Sequence, residues 1–168
     1  MILLALTRKQ LLSVLLIVGA GLAALLIDHL IVTEKERIEG IIRELRLAAE
    51  QADADMMVEG FSGNFDAEGI SRGDLRLMAQ RFFEVHGPVQ FRRFEARINR
   101  TGRTALAEIH ASVDTENHPA ARLRGRSVWQ LEFQKESDGA WRIADLTPLY
   151  IGGQEVESLG ELRRWRRF

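Results

Sequence analysis

Residues 11 to 27 carry no charge and a single hydroxyl, Ser13, and the apolar pattern resumes at Leu30, Ile31 and Val32. A helix rises ~1.5 Å per residue, so about 20 such residues cover the ~30 Å hydrocarbon layer of a bilayer. The pattern predicts a membrane-spanning helix over residues 10–32, behind a short N-terminal segment, residues 1–9. Thr33 and Glu36 then stand at capping-box spacing, which starts or continues a helix. Ile38, Ile41, Ile42, Leu45, Ala48, Ala49, Ala52 and Met56 recur at three- and four-residue steps, so one buried stripe runs on to Gly60. FSGNFDAEG, residues 61 to 69, reads as a turn-rich connection. Ser71 and Asp74 open a second helix through Leu75, Met78, Ala79, Phe82 and Phe83, closed by Gly87 and Pro88.

From there the period changes from helical to alternating. Phe91, Phe94, Ala96 and Ile98 share one strand face only if a bulge at Arg92 and Arg93 adds a residue, and a bulged strand curves. NRTGR, residues 99–103, reverses the chain, and Ala105, Ala107, Ile109, Ala111 and Val113 line the inner face of the next strand while Glu108 and His110 take the other. A polar loop, DTENHPAARLRGR, follows. Trp129, Leu131 and Phe133 then alternate with Gln130, Glu132 and Gln134, Ser137, Asp138 and Gly139 turn the chain, and Trp141 and Ile143 return it. Helices first and consecutive strands afterwards predict an α+β domain over residues 33–151, its helices laid on one face of a curved, mostly antiparallel sheet, with residues 152–168 as a basic-aromatic tail.

That order, with the hairpin SVWQLEFQKESDGAWRIADLTPLY and its WRIADL ending, resembles the nuclear transport factor 2-like superfamily over about residues 33 to 151. The resemblance implies a cystatin-like cone of sheet around N-terminal helices, often with a pocket at the open end. Asp145 has the parity of Trp141 and Ile143, so without a bulge its carboxylate points inward with them. Ketosteroid isomerase, a member of the superfamily, buries acids against apolar walls and pairs them with a tyrosine. The resemblance therefore makes Asp145, Tyr150, Trp129 and Trp141 the candidate pocket set. Tyr150 is the single tyrosine, and no early helix supplies an equivalent phenol. Asp53 and Asp55 are further pocket carboxylates or, equally, helix-surface residues.

Composition narrows the chemistry. Among 168 residues, 23 basic and 24 acidic side chains leave a net charge of -1, which gives no global case for nucleic acid as a partner. Cysteine is absent, so thiol nucleophiles, thiolate metal sites and disulfides are excluded together. His29, His86, His110 and His118 are scattered, with no metal-ligand spacing. There is no phosphate-binding glycine loop and no nucleophile elbow, so no cofactor and no metal are expected and the catalytic set is empty.

Location comes from the flanks of the span. Arg8 and Lys9 precede it and Asp28 follows, which orients the N-terminus to the cytoplasm of a bacterial inner (cytoplasmic) membrane and the domain to the periplasmic or extracytoplasmic side. Lys35, Arg37, Arg43 and Arg46 count the other way, but they alternate with acids inside a folded domain. A cleaved signal peptide is the rival reading. Gly21 to Ala24 would be its cleavage region, yet Leu25, Leu26 and Ile27 follow where polar residues belong. On the span, Gly19 with Ala23 and Ala20 with Ala24 make two small-xxx-small pairs that would admit a partner helix or face lipid. In the tail, Arg163, Arg164 and Arg166 surround Trp165 and Phe168, a composition suited to docking on protein, to lying on anionic lipid, or to a solvated end. The expectation is a single-pass accessory or scaffolding subunit, non-catalytic, whose partners are the lipid bilayer and integral membrane subunits of a larger complex. The alternative is a small-molecule binder or isomerase-like enzyme using the cone.

Overall fold

The computed structural model describes residues 33–115, 124–156 and 158–160. The chain divides into two compact units, Met1–Glu34 and Lys35–Phe168, and the described residues belong to the second apart from Thr33 and Glu34. The expected span, with Gly19, Ala20, Ala23 and Ala24, and the tail residues Arg163, Arg164, Trp165, Arg166 and Phe168 lie outside the described residues. Among the described residues no helix is long and apolar enough to cross a membrane.

Helix α1, Glu34–Gln51, begins directly after Thr33 and buries Ile38, Ile42, Ala48 and Ala49, the expected stripe. The stripe does not continue unbroken to Gly60. Ala52 adopts a left-handed φ of 55°, the Asp53 N–H bonds back to the Ala48 carbonyl at 2.9 Å, and the Ala52 N–H to that of Ala49 at 3.4 Å. These are the two closing bonds of a Schellman turn, here without its usual glycine. Asp53 then restarts the chain as a short helix α2, Ala54–Glu59, its carboxylate accepting from the Asp55 and Met56 N–H groups at 3.0 and 2.9 Å. Local capping chemistry thus overrides a periodicity that reads as continuous.

The turn-rich connection holds a miniature hairpin, β1 (Asp66–Ala67) with β2 (Ile70–Ser71). Glu68 and Gly69 have φ of 54° and 74°, the conformation that a two-residue primed turn requires. Helix α3, Arg72–His86, opens on the expected Ser71/Asp74 capping box and stops at Gly87, whose φ is 72°.

Five antiparallel strands follow in sequential order: β3 (Val89–Thr101), β4 (Thr104–Thr115), β5 (Arg124–Lys135), β6 (Trp141–Ile151) and β7 (Gln154–Glu155). The bulge expected on β3 is present. Phe91 pairs with Val113 and Arg93 with Ser112, which leaves Arg92 as the extra residue, and its guanidinium bonds buried Asp114 at 2.8 Å. The loop expected from Asp114 to Arg126 is shorter than its polar composition implies, since β4 reaches Thr115 and β5 begins at Arg124.

Ala105, Ala107, Ile109, Leu131, Phe133, Trp141 and Ile143 meet Ile38, Ile42, Val58, Phe61 and Phe65 in one core cluster, so the helices pack on the inner face of the sheet. Full burial of each large apolar side chain there contributes about 1.5–3 kcal/mol. The alanines of β4 keep that face thin, and the fit is tightest at Gly60, where an added Cβ would lie 2.6 Å from Ile41 Cγ2. Residues 60 to 62 also run parallel along the start of β6: the Ile143 N–H bonds the Gly60 carbonyl and the Ser62 N–H the Ile143 carbonyl, both at 2.9 Å. At the other end the domain passes its expected limit at residue 151. Strand β7 pairs with β6, and Val156 and Leu159 are buried, Leu159 in the main cluster, because the apolar side chains just before the arginine run still find core to cover.

Candidate functional site

The β5–β6 hairpin forms as its alternation predicts, and its turn is tied by charge. Arg142 grips Asp138 through both amine nitrogens, at 3.1 and 2.7 Å, and reaches Glu136 at 2.6 Å. Glu136 also accepts from the Ser62 hydroxyl at 2.7 Å, which fastens the hairpin to the segment after α2. The Arg142 bond, supported by the Ala140 N–H, lowers the Asp138 pKa from 3.8 to about 2.

Register decides where the proposed pocket residues go. Phe133 pairs with Ile143 but Glu132 pairs with Asp145, so Ala144 is an unpaired bulge residue. Cross-strand partners share a face. Leu131 and Phe133 are buried and Glu132 is exposed, so Asp145 stands on the outer face with Glu132, while Leu146, opposite Leu131, takes the inward place. The expectation that Asp145 points inward with Trp141 and Ile143 is thereby corrected. A second bulge, at Leu149, puts Tyr150 opposite Val128, also on the outer face. Trp141 is buried in the main core cluster, and Trp129 is half-buried against the same cluster. The four residues are therefore divided between two faces, and Asp145 and Tyr150 are separated by four β5 positions, about 13 Å along the strand. A legible signal existed in the sequence: Leu146 and Pro148 are apolar on the parity opposite to Ile143.

The outer face is polar. Reading across β3, β4, β5 and β6, its rows include Glu95, His110, Val128 and Tyr150, then Arg97, Glu108, Gln130 and Thr147. His110 Nε2 lies 2.5 Å from Glu108 Oε1. Arg93 bonds Glu95 at 2.7 Å and lowers its carboxyl pKa.

Asp53 and Asp55 have structural partners. Asp53 caps α2, and Asp55 is bonded by Arg76 of α3, which lowers its pKa. Both border a surface groove of about 570 Å³ between the α1–α2 turn and α3, together with Gln80, Phe83 and Glu84. Asp145, Tyr150, Trp129 and Trp141 do not border it. Among the described residues no group of three or more His, Asp or Glu side chains is placed to hold a metal ion. His86 ends α3, its ring tilted 45° against that of Phe82 with centroids 4.8 Å apart, and His29 and His118 lie outside the described residues.

With helices α1 to α3 laid inside a curved five-stranded meander, solved structures of the same layout can be recognised. A protein of unknown function from Mycobacterium tuberculosis is similar at a TM-score of 0.58 and 20% identity, over 76% of this chain and 79% of that one. A Streptomyces avermitilis protein, provisionally named a dehydratase of the nuclear transport factor 2-like family, matches at 0.54 and 14%, over 66% of this chain and 91% of its own. A Nostoc punctiforme protein of unknown function with a cystatin-like fold matches at 0.55 and 14%, over 68% and 89%. The domain has the nuclear transport factor 2-like fold. At these identities the likeness is one of fold. No family model matches the sequence, and no curated protein does.

Proposed function

We propose that the chain is a single-pass, membrane-tethered accessory or scaffolding subunit whose nuclear transport factor 2-like domain works by contact rather than catalysis. The observation that carries this reading is the register of β6. Its bulges give the inner layer to Trp141, Ile143 and Leu146 and turn Asp145 and Tyr150 outward, so the inner side of β6 joins the core while its acid and its phenol lie on the outer surface. The alternative of an isomerase-like pocket drew on Asp145 and Tyr150 converging inside the cone, and their places on the outer face do not support it.

The tether is the uncharged run Leu11 to Ile27, with Arg8 and Lys9 on the cytoplasmic side of an inner membrane and the domain on the extracytoplasmic side. Contacts to integral membrane subunits run through Gly19, Ala20, Ala23 and Ala24 in the bilayer. A second set runs through Arg163, Arg164, Trp165, Arg166 and Phe168, the stretch that follows buried Leu159.

The test is extraction in mild detergent followed by mass spectrometry of the chains recovered with this one. Co-recovery of membrane subunits, weakened by deleting residues 161–168, is the expected result. A mature polypeptide recovered alone, starting beyond residue 24, overturns the reading.

A further inference from the structure

One end of the outer face differs from the rest in how its charges are satisfied. Across β3, β4 and β5, Arg93 stands beside Ser112 and Ser112 beside Arg126, on the face that His110 occupies; one row further on, Gln90 stands beside Asp114 and Asp114 beside Arg124. Asp114 is the acid that register sets against Arg124, but its carboxylate is buried and bonded at 2.8 Å by Arg92, the bulge residue of β3. Glu95, the one acid of β3, is held by Arg93 through Nε and Nη2 at 2.9 and 2.7 Å. Both acids of this end thus have an arginine already, and two arginines remain. Arg124 and Arg126 are exposed, and neither guanidinium bonds a described residue. The next acids along the face are Glu108, four positions along β4 from Ser112 and in contact with His110, and Glu155, which pairs with Tyr150 two strands across from β5.

The same end is shaped as a notch. Ser112 is a short residue between two arginines, and strands ~4.8 Å apart set Arg93 and Arg126 ~10 Å from each other with the hydroxyl midway and Arg124 ~7 Å farther along β5. On the far side of Arg126 the Gly152 N–H bonds its carbonyl at 2.9 Å. Gly152 has a φ of 62°, and its Cα lies 3.4 Å from where a Cβ on Gly125 would be, so the turn after β6 lies close against β5 and Gly152 sets no side chain beside Arg126.

A guanidinium meets a phosphate through parallel N–H groups, and it stays charged at every pH at which the protein folds. A carboxylate offers two oxygens and a phosphate monoester three, and the larger number matches two guanidinium forks with a hydroxyl between strands. We propose that this notch binds a phosphate group, carried by a small phosphomonoester or by a lipid headgroup. Arg124 and Arg126 hold it from β5, the Ser112 hydroxyl donates from beneath, and Arg93 closes the β3 side through Nη1, the nitrogen that Glu95 does not engage.

The test follows the arginine Nε–H resonances of the full chain in a non-ionic detergent, at constant ionic strength set with chloride, as inorganic phosphate is added or phosphatidic acid is mixed into the micelles. The site predicts shifts at Arg93, Arg124 and Arg126 that saturate at millimolar phosphate or below. The double variant Arg124→Gln, Arg126→Gln weakens binding at least ~10-fold, Arg126→Lys, which keeps the charge but loses the fork, weakens it by part of that, and Arg81→Gln, exposed on α3, leaves it unchanged. Both substituted positions are exposed, so unchanged circular dichroism separates this loss from unfolding. Saturation by phosphatidic acid at about a tenth of the phosphate concentration or less marks a headgroup, and comparable affinities mark a free phosphoester. No saturating shift with either probe, the same shift with added chloride alone, or a double variant that binds as the parent does overturns the proposal. These outcomes do not depend on whether membrane subunits are recovered with the chain.

Discussion

Asp145 stands opposite Glu132 on the outer face of the β5–β6 ladder, two acids paired where simple alternation would have set Asp145 against buried Leu131. Like charges directly opposite one another in a sheet are destabilising. Asp145→Lys is expected to raise stability by about 0.2–1 kcal/mol in denaturant unfolding, with Asp145→Asn recovering part of that. The inward place belongs to Leu146, and Leu146→Asp should cost at least ~2 kcal/mol because it sends a carboxylate into the core cluster. If Asp145→Lys proves the more damaging of the two, the register is wrong.

Ala52 holds a left-handed conformation without being glycine. An L-residue there carries a steric penalty of about 1–2 kcal/mol, partly offset by the entropy that glycine loses on folding. Ala52→Gly should therefore stabilise the domain by about 0.5–1 kcal/mol, whereas a β-branched Ala52→Val should lower the thermal midpoint.

Gly60 is required by contact rather than by its backbone angles, since its φ of -72° suits any residue. A methyl group there meets Ile41 Cγ2 at 2.6 Å, beside the carbonyl that accepts from Ile143. Gly60→Ala is expected to cost about 1–3 kcal/mol, as overpacking does. Combined with Ile41→Ala, the two losses should sum to less than their separate values in a double-mutant cycle.

Asp138 supplies the acid-side signature of the β5–β6 turn. Its folded pKa, about 2, is lowered from 3.8 by Arg142 first and the Ala140 N–H second. A depressed carboxyl pKa stabilises the fold above the unfolded value, and the contribution disappears as pH falls through the folded one. Thermal midpoints should decline from about pH 4 toward pH 2, and Asp138→Asn should flatten part of that decline. The carboxylate is exposed, so the effect is modest and shrinks further with added salt.

Much of this architecture could be read along the chain. The α+β order, the Ser71/Asp74 start of α3, the bulge at Arg92, the inward faces of β4 and β5 and the hairpin turn at Asp138–Gly139 follow from local rules: periodicity, capping spacing and turn chemistry. Each involves residues close in sequence, or a pattern repeated often enough to be unambiguous.

The remainder depended on partners far apart. WRIADLTPLY is compatible with alternation from either parity, and the choice fell to pairing with β5, where seating both Phe133 against Ile143 and Leu131 against Leu146 extrudes Ala144 and turns Asp145 to solvent. In the same way Gly60 to Ser62 could join the edge of β6, and Leu159 could return to the core, only once the sheet had curved around α1. Composition and local pattern determined which elements this protein has. Tertiary pairing decided which face each side chain of β6 occupies, because a single extra backbone residue inverts that face and leaves no necessary mark on the sequence around it.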